Sequence, residues 1–255
     1  MQAIACTMTR SDVSVSEAGT VSQFPPVRAL LFDLDGTLID SETQTDEAIE
    51  TVVARYGSPG FRLPNSDTRG RTWAHAAETI LRLTCLEVSA AQLEAQLLAE
   101  WNIATARVNP IPGAPAALRA AAACGLKLAV VSSSPRSVID SFVRRLQIED
   151  CIAAQACVGG DNVRIGKPDP ECFLLAARRL GVEPAEALVF EDSSAGLQAA
   201  RSAGMRAMFI TCCAADFDGS MALATGSFTH YERLPADFWA QLAAGKQELA
   251  GRSFT

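Results

Sequence analysis

Ala29-Leu30-Leu31-Phe32-Asp33-Leu34-Asp35-Gly36-Thr37 is the stretch on which the fold turns. Four apolar residues run straight into two aspartates and a glycine, the pattern of a buried strand that ends in a polar loop. Residues two apart on an extended chain point the same way, so Asp33 and Asp35 project into one site. Two carboxylates that close repel unless a cation or a shared proton offsets the charge. A hard, oxygen-liganded cation such as Mg²⁺ suits the pair better than a soft metal. With an anionic substrate present, one carboxylate can be the nucleophile while the other moves protons. A turn with capping aspartates fits the same letters, and this stretch alone leaves both readings open.

Beyond that strand, Ser41 to Tyr56, Ala74 to Leu83 and Ala90 to Ala106 read as helices, and no strand-like run occurs from about 42 to 105. After Pro110-Ile111-Pro112-Gly113 the pattern alternates. Helix Ala114 to Ala123, strand Lys127 to Val131 and helix Ser137 to Leu146 lead to a short strand near Ala154 to Val158. Helix Pro170 to Leu180, strand Ala187 to Phe190, helix Ala195 to Ala203 and strand Arg206 to Thr211 continue the series. Such alternation predicts an α/β fold, a parallel sheet with helices on both faces and ligands beyond the carboxyl ends of the strands. The expected division is an α/β core over 27–41 and 110–255, with an all-helical insertion over 42–109. Residues 1–26 read as a flexible arm, polar and without the apolar centre of a signal peptide.

Three more strand ends carry polar residues. Ser132-Ser133-Ser134 offers hydroxyl and backbone N–H donors to a phosphate, and Ser134 before Pro135 also reads as a helix N-cap. In Gly166-Lys167-Pro168-Asp169-Pro170 two prolines fix the backbone around a lysine, which suits neutralising a transferring phosphoryl group. Glu191-Asp192-Ser193-Ser194 supplies acidic residues for a metal, with helix capping as the plain alternative.

In order and spacing these four stretches resemble the motifs of the haloacid dehalogenase-like superfamily, over about residues 27 to 212. The resemblance implies a Rossmann-like core, and it makes the helical insertion similar to that family's C1 cap. Carried over residue by residue, it implies Asp33 as nucleophile and Asp35 as the acid and base. Ser132 and the N–H of Ser133 would hold phosphoryl oxygens, and Lys167 would offset charge on Asp33 and the phosphate. Mg²⁺ would be held by Asp33, the carbonyl of Asp35 and Asp192, with Glu191 orienting Lys167 or a metal-bound water. The implied reaction is hydrolysis of a small phosphate monoester, a sugar phosphate or phosphosugar acid, through an aspartyl-phosphate. Chemistry of this kind needs positioning and charge neutralisation above all.

Within the superfamily, Asp35 disfavours the dehalogenases, and the absence of lysine from 42 to 109 removes the Schiff-base phosphonate branch. A β-phosphoglucomutase-like enzyme is the alternative. That mutase has a histidine where this chain has Thr45, and Thr37 is the phosphatase-like choice at its position. Phe228-Thr229-His230, Leu234-Pro235 and Phe238-Trp239 are similar to the end of bacterial 6-phosphogluconate phosphatase-like chains. Arg69 and Arg71, flanking Gly70 in the insertion, are the candidates for reaching an anionic or polyol substrate, with solvated loop arginines as the alternative. His75 lies nearby and could cap or pack.

Composition sets the limits. The chain has 255 residues and a net charge of −7, which disfavours nucleic acid and anionic membranes as partners. A small phosphorylated metabolite is the expected partner, and the chain a cytoplasmic monomer or homodimer without a membrane span. Lys+Arg total 22, yet the lysines are only Lys127, Lys167 and Lys246. Eight cysteines without a C-x-x-C pair read as reduced, mostly buried thiols. The vicinal Cys212-Cys213 also reads as a possible redox device.

Overall fold

The computed structural model describes residues 25–246, 249 and 251–255, so nearly all of the expected N-terminal arm lies outside the described residues. Strand β1 (Ala29–Phe32) is followed by α1 (Glu42–Arg55), α2 (Asn65–Thr68), α3 (Trp73–Leu83) and α4 (Ala90–Ala104). Next come α5 (Ala114–Ala123), β2 (Lys127–Val130), α6 (Arg136–Arg145), α7 (Glu171–Leu180), β3 (Ala187–Glu191) and α8 (Ser194–Ser202). The chain continues through β4 (Arg206–Ile210), α9 (Phe217–Met221), β5 (Gly226–Phe228), α10 (Phe238–Ala243) and β6 (Arg252–Phe254).

The six strands form one sheet in the order β2-β1-β3-β4-β5-β6, and every pairing is parallel. The chain adds β2 on one side of β1 and β3 on the other, which opens a crevice at the carboxyl end of β1. All residues of β1, β3 and β4 are buried, as their unbroken apolar runs require. Phe32 stacks on Phe190 at 4.8 Å, and Tyr231 and Trp239 close around the same ring.

In the insertion, Leu93, Leu97 and Trp101 recur every fourth residue along α4 and are fully buried. Trp101 lies 5.9 Å from Trp73 and 6.0 Å from Phe142 of α6, which ties the insertion to the core. Ser89 and Gln92 form a capping box at the start of α4. The chain leaves and re-enters the core side by side: Ile39 bridges Pro110, and the Asp40 N–H donates to Asn109 O at 3.0 Å.

Two features differ from expectation. Ala154–Ala156 is a 3₁₀ turn, and the sheet is met on either side of it by isolated bridges, Ile152 to Leu128 and Val158 to Val131. The segment has no β-branched residue between Ile152 and Val158 to favour extension. Conversely, β6 was not foreseen: Arg252 and Ser253 are exposed, and the three-residue strand is held by its backbone pairing with β5 and by Phe254 packing on Phe238. Among the described residues, no helix is long and apolar enough to cross a membrane.

Candidate active site

The register that holds the sheet also assembles the site. Phe32 pairs with Val130 on one side and Phe190 on the other, so Asp33, Val131 and Glu191 stand level at the carboxyl edge. Lys167 enters from the loop before α7 and places its three ammonium protons on Asp33 Oδ1 (2.5 Å), Val131 O (3.2 Å) and Glu191 Oε1. Its side chain is 1% exposed. Burial pulls such an ammonium towards neutrality, but Asp33 and Glu191 outweigh it and the net direction is up, so Lys167 stays charged.

Burial drives the Asp33 carboxyl well above its ordinary range, with Lys167 opposing. Asp192 is pushed the same way by burial, then by the charges of Glu42, Glu191 and Asp33. Asp33, Glu191 and Asp192 offer oxygens within 4.8 Å of one another. One ammonium cannot balance three such carboxylates, and an all-oxygen set with excess negative charge fits a hard divalent cation. Both Glu191 oxygens already accept bonds, one from Lys167 and one from the Ser193 N–H (3.2 Å) and hydroxyl (2.9 Å). That leaves Asp33 and Asp192 as the freer carboxylates. Gly36 makes the approach of Asp192 possible, because a Cβ there would collide with the Asp192 carboxylate and φ is +77°.

Asp35 belongs to a separate set of bonds. Its Oδ1 accepts from Ser41 Oγ at 2.7 Å, and its Oδ2 from Ser134 Oγ at 3.2 Å and Ser132 Oγ at 3.4 Å. Burial raises its pKa and these hydroxyls pull it back. Ser134 is therefore not the helix cap that the sequence predicts. Pro135 occupies that position, and the Ser134 hydroxyl turns to the site instead. The signal was present in the run of three serines, but its second reading, a cap, absorbed it.

The loop between α2 and α3 closes over the strand ends. Ser133 Oγ donates to Gly70 O at 2.8 Å, and Arg71 Nη1 donates to Lys167 O at 3.1 Å. Between loop and sheet lies a cavity lined by Asp33, Asp35, Ser133 and Ser134 below and by Arg69, Arg71, Ile49, Trp73 and Trp101 above. The two arginines differ. Arg69 pairs with the Glu42 carboxylate and with Asp46 at 2.9 Å, so its charge is already matched. Arg71 donates to the carbonyls of Ser66 and Lys167, and no carboxylate among the described residues pairs with it. His75 faces Asp67 at 3.2 Å.

Burial pushes Glu42 up to about 7 despite Arg69 beside it. A free glutamate titrates near ~4.3, so the folded chain holds this proton more tightly. Stability therefore falls as pH rises from the free value through the folded one. The Glu42→Gln variant is expected to melt above the wild type at pH 8, with the gap closing towards pH 5. Equal destabilisation at both pH values would contradict this.

A family model described as haloacid dehalogenase-like hydrolase matches residues 27–204. The chain belongs to that family. This hydrolase is 31% identical over 184 residues to the phosphorylated carbohydrates phosphatase of Thermotoga maritima, covering 72% of this chain and 84% of that protein. It is also 31% identical over 186 residues to the fructose-1-phosphate phosphatase YqaB of Escherichia coli, covering 70% and 94%. Its fold matches a β-phosphoglucomutase from Clostridium difficile with a TM-score of 0.72 at 19% identity, over 86% of this chain and 98% of that one. The expected enzyme class, a phosphoric monoester hydrolase of this family, stands on the same relatives.

Proposed function

We propose that this hydrolase is a Mg²⁺-dependent phosphatase that cleaves a small phosphate monoester, a sugar phosphate or phosphosugar acid, through an aspartyl-phosphate on Asp33. The observation that carries the reading is the buried contact of Lys167 with both Asp33 and Glu191. It holds one Asp33 oxygen in place and leaves the other for attack. The named activities of the Thermotoga maritima and Escherichia coli relatives favour a phosphorylated carbohydrate.

In this mechanism Asp33 attacks phosphorus, and the leaving alcohol takes a proton from Asp35. Asp35 then accepts a proton from the water that attacks the aspartyl-phosphate, which releases inorganic phosphate and restores Asp33. Ser132 and the N–H of Ser133 hold phosphoryl oxygens, and Lys167 balances their charge. Asp33, Asp192 and the carbonyl of Asp35 would hold Mg²⁺, which when bound offsets the negative charge of the phosphate. Residues 42–109 act as the cap that excludes water and selects the alcohol, with Arg71 the cation free to meet an anionic group.

The mutase reading needs a proton-transferring group at the position of Thr45. Here the Thr45 hydroxyl donates its one proton to Ser41 O at 3.1 Å and accepts from Trp101 Nε1 at 3.1 Å, and a threonine hydroxyl does not titrate near neutral pH. Purified protein with Mg²⁺ is expected to release phosphate from an aryl phosphate and from members of a sugar-phosphate panel. No release from any of them overturns the proposal. Conversion of β-glucose 1-phosphate to the 6-phosphate, with a bisphosphate activator and no net phosphate, selects the mutase.

Mg²⁺ is also expected to raise the melting temperature at pH 7.5. At one hundred times Kd the gain is about 2.7 kcal/mol, roughly 5–10 °C for a chain of this size. The gain shrinks towards pH 5, where protons compete for Asp33 and Asp192. An equal shift with the Asp192→Asn variant would remove Asp192 from the metal site.

A further inference from the structure

Cys212 and Cys213 follow β4 at the carboxyl end of the sheet, where the mechanism gives them no part. Neighbouring side chains on an extended strand point to opposite faces. Here the chain bends instead, and the two sulfurs come within 3.7 Å of each other. The backbone at this bend is fixed, because the N–H groups of Thr211 and Cys212 donate to the carbonyls of Phe228 (3.0 Å) and Thr229 (3.2 Å). Cys212 is exposed and Cys213 half-buried. Cys213 Sγ also donates to Asp40 Oδ1 at 3.6 Å, in the segment by which the chain leaves the core for the insertion.

We propose that Cys212 and Cys213 are a reversible dithiol–disulfide site, oxidised by low-molecular-weight disulfides. Cys212 is the attacking group because it is open to solvent, whereas Cys213 is half-buried and its S–H is held by Asp40. The Cys212 thiolate attacks one sulfur of the small disulfide, and the first small thiol leaves with the proton that Cys212 gave up. Cys213 then attacks the Cys212 sulfur of the mixed disulfide, and its proton goes to the second departing thiol. Two protein thiols are oxidised, one S–S bond forms between them, and one small disulfide is reduced to two thiols.

Consecutive Cα atoms lie about 3.8 Å apart, below the usual span of about 4.4–6.8 Å between disulfide-bonded residues. The ring is consequently strained, and a strained disulfide is readily reduced again. Closing it also withdraws the S–H that Cys213 donates to Asp40.

The test treats the full chain with oxidised glutathione, alkylates the remaining thiols and maps them by mass spectrometry. The expected product lacks two hydrogens, carries no glutathione, has Cys212 and Cys213 protected together, and returns to the dithiol with a reducing thiol. Cys213→Ser is expected to stop at a glutathione adduct on Cys212. Cys212→Ser should leave Cys213 alkylatable. A monosubstituted trivalent arsenical, which bridges paired thiols, should protect both cysteines in the wild type and neither in the single variants. The proposal is overturned if both wild-type thiols stay alkylatable, if the mixed disulfide persists in the wild type, or if oxidation maps to another cysteine pair.

Discussion

Replacing Asp33 by asparagine is expected to lower kcat on the order of 10⁴-fold or more, with the fold unchanged. The amide keeps the shape of the carboxylate, so packing at this buried position survives. It cannot serve as the attacking oxygen, and loss of a nucleophile removes nearly all of the catalysis that a covalent mechanism supplies. Stability should not suffer in proportion. Burial already works against ionised Asp33, and the neutral amide removes one of the repelling charges around Asp192. Steady-state phosphate release and thermal melting of the same preparation check both halves. Turnover within tenfold of wild type would assign the covalent step elsewhere.

Lys167→Ala is the second large effect, and it has two components. The first is kinetic: removing the donor that offsets phosphoryl charge costs about 3–4 kcal/mol of transition-state stabilisation, roughly 10²–10³ in kcat. The second is structural, since one cation faces Asp33 and Glu191 together in a site closed to solvent. Breaking a buried pair by removing one partner costs about 3–5 kcal/mol.

The pH dependence separates the two components. In the variant, Asp33, already pushed up by burial, loses the ammonium that opposed that push and regains neutrality by taking up a proton that the unfolded chain releases near ~4. Its deficit in melting temperature should therefore be largest near pH 8 and smaller at pH 5. In the wild type the raised Lys167 holds its proton throughout this range, so its contribution is lost only in strong alkali. Lys127→Ala serves as the control, because Lys127 is exposed, lies far from the site and donates from its ammonium to the Leu180 carbonyl. Wild-type turnover and melting in Lys167→Ala would remove the lysine from the mechanism.

Much of this site was legible because each part is contiguous in the chain. Asp33 and Asp35 share a loop, Ser132 to Ser134 are consecutive, and Glu191 and Asp192 end one strand. The parallel sheet then brings those strand ends level without further instruction, as the pairings of Phe32 with Val130 and Phe190 show. The cap side was less legible for the opposite reason. Arg69 is matched by Glu42 and Asp46, more than twenty positions away on another helix, and no local pattern announces that pairing. Strand β6 escaped because it has three residues and one apolar side chain, Phe254, too few for an alternating pattern to show. Ala154 to Val158 misled because a short apolar run fits a buried turn as well as a strand.

The two bonds across the cavity mouth, Ser133 to Gly70 and Arg71 to the Lys167 carbonyl, bear on the speed of the catalytic cycle. A net value of about 1 kcal/mol each leaves the open form at a few per cent of the population from these contacts alone. Both bonds are anchored on residues that would handle the phosphate in the proposed mechanism, so gate and chemistry would share their fixings. On that mechanism each turnover would break them twice, once to admit the ester and once to let the alcohol go. Solvent viscosity should then slow turnover on good substrates more than on poor ones, because only fast chemistry has to wait for the gate.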